Sequence, residues 1–352
     1  MTTLVDVDKS EQPIAADGRP VNGFRLENSK GTSARFMDIG ATWLSWKVVV
    51  DGNEREVLLG NANFKDYQTQ TAYLGATVGR YANRIANGRF SIDGIEYHIG
   101  QNDGANALHG GCDGFDKRRW HLESLTKSRL SFSLHSDHGD QGFPGQLSVN
   151  LTITLDEDDA LHLQYCAVVD QPCPVNLTNH AYFDLAGQDG KQGCLDHWLT
   201  IYADQYLPVG ADGIPFTGLR DVEGTYFDFR QPKRIGEHIA LNDELTELGG
   251  YDHSYYLAPR NENLVAEVVS PDSKLTMRVF SDKPAMQFYS GNHLKGCPNR
   301  CGGKYGTYSG FALETQFLPD SPNHLEWPQE GVILMPGQVY QYTTTYQLIV
   351  SE

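Results

Sequence analysis

The sequence predicts an all-β protein, a large antiparallel β-sandwich, and three observations carry that prediction. Apolar and polar residues alternate with period two over several long runs, the pattern of a strand with one buried and one wet face. Asp-Gly pairs and other short turn signals separate those runs at hairpin spacing. The chain is also rich in turn and strand formers, with 36 glycines, 18 tyrosines and 15 phenylalanines in 352 residues, whereas helical periodicity is nearly absent.

Along the chain, residues 20–60 read as short strands, with Ile39, Ala41 and Trp43 alternating around Gly40 and with VVVDGNEREVLLG turning at Asp51 and Gly52. RFSIDGIEYHIG repeats that pattern with its turn at Asp93 and Gly94, and RLSFSLHS from Arg129 is a further strand. In QLSVNLTITL, Leu147, Val149, Leu151, Ile153 and Leu155 share one face, while Gln146, Ser148, Asn150, Thr152 and Thr154 share the other. This run ends in the acidic turn DEDD at 156–159, and LHLQYCAVV returns from Leu161 to Val169, which makes a hairpin. VAEVVSPDSKLTMRVF, turning at Pro271 and Asp272, and the late run QVYQYTTTYQLIV complete the set. Helical turns are expected only near residues 61–67 and 232–248. Polar faces on so many strands mean antiparallel sheets wet on one side, and the polar concave face of the sandwich is the natural place for a ligand. No repeat, low-complexity run or linker interrupts the pattern. GCPNRCGGKYGTYSG, residues 296–310, reads as a mobile loop and not as a boundary, so residues 1–352 are expected to form a single domain.

Composition narrows the function. Hydrophobic residues make up 39% and charged residues 21%, a globular balance with no mark of disorder. A formal net charge of -17 excludes the basic footprint of a nucleic-acid binder and opposes attraction to an anionic membrane, leaving a neutral small molecule as the expected partner. The opening MTTLVDVDKSEQPIAADGRP lacks the apolar core of a signal peptide and no run is long enough to span a bilayer, so a cytoplasmic location is expected. In that compartment Cys112, Cys166, Cys173, Cys194, Cys297 and Cys301 should be free thiols. Cys297 and Cys301 have knuckle spacing, but no second pair matches them, so no metal is expected.

Residues 174–187, PVNLTNHAYFDLAG, form the stretch densest in chemistry. Val175 and Leu177 alternate with Asn176 and Thr178 like a half-buried strand, which then delivers Asn179, His180, Tyr182 and Asp184. A histidine at a strand end can be held in one orientation and still face a cleft, as general acid catalysis requires, although a lone histidine there is more often structural. Four further clusters supply partners. GATVGRYANRIANGRF offers Asn83 and Arg84; it has neither P-loop nor dinucleotide glycine spacing, and the arginine reads either as an exposed loop residue or as a fork donating to sugar hydroxyls. NALHGGCDGFDKRRW places His109 before two glycines, where its ring is expected to be exposed. GGYDHSYYL offers Asp252, a surface carboxylate or an acceptor for vicinal hydroxyls. FALETQFLPDSPNH sets Glu314 in an apolar run, where burial raises its pKa toward neutrality and makes it the candidate general base.

GRYANRI, ALHGG, GFDKRRW, QGFPG, PVNLTNHAYF, GYDH, QFYSGN and ETQFLPDSPNH, in this order and over nearly the whole chain, resemble the aldose 1-epimerases, the galactose mutarotases. Each motif is modest, but eight in sequence are specific. The resemblance implies a mutarotase-like β-supersandwich enzyme of the cytoplasm, monomer or homodimer, that interconverts the α and β anomers of free aldohexoses such as galactose and glucose. It implies Glu314 as general base, His180 as general acid, and Asn83, Arg84, His109, Tyr182, Asp252 and Gln287 as the residues that hold the sugar. Phe183-Asp184 departs from the more usual Phe-Asn and touches no catalytic position. The chemistry agrees: ring opening needs a base at the O1 hydroxyl and an acid at O5, expected on opposite sides of the C1–O5 bond, with no metal or cofactor, and Tyr182, Phe288 and Tyr289 offer a flat wall for the sugar's C–H face. Three rivals stay open: a hexose 6-phosphate epimerase, a glycoside hydrolase using Glu314 and Asp252, and a non-catalytic sugar-binding module.

Overall fold

Period-two alternation becomes strand wherever a short turn lets the next run pair with it, and the computed structural model is built almost wholly of such pairs. It describes residues 13–187, 191–259 and 263–351; the first twelve residues, and with them most of the stretch read as lacking a leader, lie outside that range. Leu147–Leu155 pairs antiparallel with Ala160–Val169 across the acidic turn. Leu147, Val149, Leu151, Ile153 and Leu155 are all buried, while Ser148 and Asn150 stay exposed. Each buried aliphatic side chain on that face stabilises the sheet by about 2 kcal/mol. At both Asp-Gly turns the two residues have positive φ, 52° and 76° at Asp51 and Gly52, 51° and 79° at Asp93 and Gly94, as type I′ hairpins require.

Three sheets dominate. The largest has nine strands, in the order His121–Leu125, Arg129–Ser136, Leu147–Leu155, Ala160–Val169, Tyr340–Val350, Leu275–Ser281, Leu264–Val269, Trp198–Ile201 and Lys233–Arg234. A five-stranded sheet runs Arg220–Asp221, Gln205–Leu207, Asp252–Tyr256, Ala285–Tyr289 and Ala312–Gln316, and a four-stranded meander spans Gly23–Glu27 to Asn53–Glu56. All three contribute to one hydrophobic cluster. Trp43 lies near its centre, with the rings of Phe36, Trp46, Phe183 and Tyr346 at 5.1–6.0 Å. The antiparallel β-sandwich is therefore as expected. Among the described residues the α-helices are short: Phe64–Thr69 and Asp243–Leu248, each started by an asparagine that accepts from a first-turn N–H, and no helix is long and apolar enough to cross a membrane.

Two local readings are corrected. Ile39, Ala41 and Trp43 do not share a strand: Gly40 and Ala41 have φ of 67° and 42°, so the chain turns there and the strand starts at Trp43. Residues 174–185 are not half-buried but buried on both sides. Asn176 and Thr178 lie inside because the segment crosses the interior, and Asn176 is matched by donating to Ala82 O and accepting from Phe317 N. The site is consequently not on the wet face of the long regular strands. It lies where this interior segment meets the five-stranded sheet.

Candidate active site

His180 is fixed by the backbone on both sides. Thr178 and Asn179 pair with Val78 and Thr77, His180 N donates to Ala76 O at 2.8 Å, and Gly75 N donates to His180 O at 2.9 Å. Gly75 has φ of 69°, and any Cβ there would overlap the carbonyl oxygen of Trp43, so this turn admits only glycine. Facing His180 is Glu314, on the strand Ala312–Gln316, opposite Gln287 in register. His180 Nε2 and a Glu314 carboxylate oxygen stand 3.7 Å apart, and both side chains are buried. The sequence reading placed the two on opposite flanks of a pyranose; the structure instead has them converge on one spot.

The electrostatics follow from burial. Desolvation pulls His180 down to about 4, against a smaller upward pull from its backbone hydrogen bond and from Asp252. Desolvation pushes Glu314 well above the usual carboxylate range, with Asp252 adding to the push and Arg84 opposing it. Glu314 Oε2 and His180 Nδ1 have no hydrogen-bond partner among the described residues. At 3.7 Å the facing atoms are beyond hydrogen-bond reach, so burial favours the neutral form of both groups and leaves them poorly satisfied, a condition that a polar ligand relieves.

Asn83 and His109 hold one another. His109 N donates to Asn83 O at 3.1 Å, and Asn83 N donates to His109 Nδ1 at 3.2 Å, extending the short ladder of Arg84–Ile85 with Ala107–Leu108. The ring was expected to be exposed; it is buried, packed edge-on against His180 at 5.2 Å and against Tyr73 at 4.6 Å. Burial, then His180 and Arg84, hold it neutral. Because Nδ1 accepts, the ring proton sits on Nε2, and His109 presents a donor to the site. Tyr182 stacks on His180 at 4.9 Å, and Tyr289 meets Tyr182 edge-on at 5.9 Å. Phe288 does not join this wall. Strand alternation turns it into the core, stacked on Tyr251, so the expected aromatic wall is built from Tyr73, Tyr182 and Tyr289.

The polar rim joins the remaining predicted residues. Arg84 Nε donates to Asp103 at 2.8 Å, and its Nη1 lies 3.8 Å from Asp252. Burial lowers the Arg84 pKa but Asp252 and Asp103 outweigh it, so the charge is secure. Asp252 accepts from Gln287 Nε2 at 2.7 Å, and Ser254 Oγ donates to Gln287 Oε1. All eight predicted residues thus belong to one connected cluster. Sequence reasoning passed over Tyr73, two residues before the Gly75 stretch, and Asp103, in QNDG just before the His109 cluster. Each lies beside a motif that was read, and neither has a pattern of its own.

Ligand atoms of His109, His180 and Glu314 lie within 4.8 Å of one another, the donor types of a divalent metal site. The hydrogen bonds argue against that use. His109 would have to ligate through Nε2, but that nitrogen carries the ring proton because Nδ1 accepts from Asn83, and metal-bound histidines donate from their other nitrogen.

The aldose 1-epimerase family profile matches residues 23–347. The chain is similar to an aldose 1-epimerase of Escherichia coli K12, 47% identical over 96% of this chain and 97% of that one. It is also similar to a galactose mutarotase of Rattus norvegicus, 42% identical over 96% and 97%. The crystal structure of a galactose 1-epimerase from Lactobacillus acidophilus superposes with a TM-score of 0.84 at 29% identity, covering 97% of this chain and 98% of that one. With a profile match across nearly its whole length and relatives this close, the chain belongs to the aldose 1-epimerase family.

Proposed function

We propose that this protein is a mutarotase that interconverts the α and β anomers of a free aldohexose such as galactose or glucose, using Glu314 and His180 as its acid/base pair. The observation that carries the reading is the convergence of a buried carboxyl and a buried imidazole at 3.7 Å. O1 and O5 share the one carbon C1, so two proton-transfer groups serving them must converge.

In the proposed reaction Glu314 takes the proton of the O1 hydroxyl while His180 gives one to O5, and the C1–O5 bond breaks to leave a free aldehyde. Rotation about C1–C2 presents the other face of the carbonyl. On closure Glu314 returns its proton to O1, the O5 hydroxyl gives its proton back to His180, and the opposite anomer leaves with the enzyme unchanged. His109 Nε2–H stabilises charge that grows on oxygen during both steps, and the Arg84 fork donates to hydroxyls of the bound ring. Asp252 and Gln287 receive and donate to ring hydroxyls, Asn83 fixes His109, and the tyrosine wall meets the C–H face. A phosphorylated hexose fits poorly, because the Arg84 charge is already met by Asp103 and Asp252.

We further propose that the chain works as one catalytic domain, monomeric or homodimeric, in the cytoplasm. All six cysteines are unpaired, which fits a reducing compartment, and the strong negative charge fits a neutral ligand over a nucleic acid or a membrane. The test is polarimetry on freshly dissolved α-D-galactose and α-D-glucose. Catalysed decay of rotation to the equilibrium value is expected with both, and rates no faster than buffer on both sugars would end the proposal.

A further inference from the structure

One carboxylate outside the site hydrogen-bonds the segments behind both halves of its polar rim. Glu244 lies in the helix Asp243–Leu248. Its Oε1 accepts from Val209 N at 3.3 Å and lies 3.1 Å from His253 Nε2. The His253 ring is fully buried, and its Nδ1 accepts from Asp252 N at 3.1 Å, so the ring proton sits on Nε2 and points at Glu244. Glu244 therefore orients the backbone that carries Asp252.

Val209 begins the loop between the strands Gln205–Leu207 and Arg220–Asp221. This loop is folded on itself: Gly210 N donates to Ile214 O, Gly213 N to Gly210 O, and Ile214 N to Asp212 Oδ1. Its turn presses Gly213 against Arg84. Gly213 is buried with φ of 71°, and a Cβ there would lie 2.6 Å from Arg84 Cζ and Nη1. The loop backbone thus packs directly against the guanidinium, and Glu244 anchors the start of that loop.

We propose that Glu244 is a positioning residue that holds Asp252, through His253, and Arg84, through Val209 and Gly213, at the separation that a hexose's hydroxyls require. The inference rests on the mutarotase reading and adds to it a determinant of hexose affinity that never touches the sugar. It makes a specific claim on kinetics: losing Glu244 loosens sugar binding and leaves the Glu314 and His180 chemistry in place.

The experiment measures kcat and KM for α-D-galactose and α-D-glucose by polarimetry in Glu244→Ala, Glu244→Gln, Gly213→Ala and Phe216→Ala, with thermal unfolding alongside. Glu244→Ala is expected to raise KM about tenfold with kcat held within about twofold, the size of one lost buried hydrogen-bond acceptor. Glu244→Gln keeps an amide oxygen for the same two donors and is expected to restore KM. Gly213→Ala is expected to raise KM by displacing Arg84, whereas Phe216→Ala, at an exposed position of the same loop, leaves both constants unchanged. A folded Glu244→Ala with wild-type KM, a loss of kcat as large as the rise in KM, or failure of the glutamine to rescue would overturn the proposal. If Glu244→Ala does not fold, unchanged KM in Gly213→Ala overturns it alone. A wild type inactive on both sugars refutes the mutarotase reading separately, and galactose affinity by saturation-transfer NMR then decides the role of Glu244.

Discussion

Glu314→Gln is the sharpest perturbation of the proposed pair, because it changes charge and proton capacity while keeping shape. Glu314 is buried, its Oε2 already lacks a partner, and His180 lies 3.7 Å from its other oxygen. Among the described residues the amide therefore breaks no hydrogen bond at the Oε2 position, and folding stability should change by no more than about 1 kcal/mol. Catalysis should respond very differently. An amide cannot take the O1 proton, and a positioned base supplies about 10²–10⁴ in rate, which corresponds to about 3–5 kcal/mol of transition-state stabilisation. Polarimetry on fresh α-D-galactose should show kcat down by at least about a hundredfold, with KM near wild type because the rim of Arg84, Asp252 and Gln287 is untouched. A variant keeping more than a tenth of wild-type kcat would refute the reasoning, and so would one whose loss lay wholly in KM.

Three further outcomes are expected. Activity should be bell-shaped in pH: the acid limb reflects protonation of His180, lowered to about 4, and the alkaline limb the loss of the last proton from Glu314, raised above the usual carboxylate range, both belonging to the coupled pair; a flat profile from about pH 4 to 9 would contradict it. Gly75→Ala should destabilise by about 2 kcal/mol or more, because a Cβ at φ 69° would overlap the Trp43 carbonyl, and chemical denaturation showing a smaller loss would mean that the turn relaxes. Arg84→Lys should raise KM about tenfold with folding intact, since one ammonium cannot reach both Asp103 and Asp252 as the fork does; unchanged KM would remove Arg84 from sugar binding.

Regular alternation was legible because it is a local property. The hairpin of Leu147–Leu155 with Ala160–Val169 needs only its own residues to set register, and the structure has it as read. Residues 174–185 were misjudged because alternation reports the chemistry of two faces and not what covers them: Asn176 looked wet, yet Ala82 O and Phe317 N, 94 and 141 residues away, satisfy it inside. Ile39 and Ala41 were misread for the opposite reason, since backbone φ at Gly40 and Ala41 broke a pattern that composition alone supported. At the site, Glu314 stood out because a carboxylate in an apolar run is costly to bury. Tyr73 did not, because its role comes from ring contacts with His109 and His180 that only the fold creates. Phe288 and Tyr289 are neighbours that strand geometry sends to opposite faces, a distinction recoverable only once the strand Ala285–Tyr289 is placed.

Burial that holds Glu314 protonated and His180 neutral looks at first opposed to a reaction needing a basic carboxylate and an acidic imidazolium. The proton count removes the conflict. A protonated carboxyl beside a neutral imidazole holds one titratable proton between them, and so does a carboxylate beside an imidazolium; the two are tautomers of one state. Desolvation favours the neutral form while the pocket is empty, since two charges at 3.7 Å in a dry cavity are costly unless hydrogen bonds meet them. A hexose offers those bonds, with an O1–H that donates to the carboxylate and an O5 that accepts from the imidazolium, so binding and activation become the same event. Ring opening then returns the pair to its neutral form with the aldehyde bound, and closure regenerates the charges. In the proposed reaction the protein therefore supplies a low-dielectric site whose charged tautomer is stable only when a hydroxyl and a ring oxygen on one carbon lie between Glu314 and His180. On this proposal Glu314 and His180 belong on two elements that meet in the interior, and neither could serve from the polar faces of the long strands.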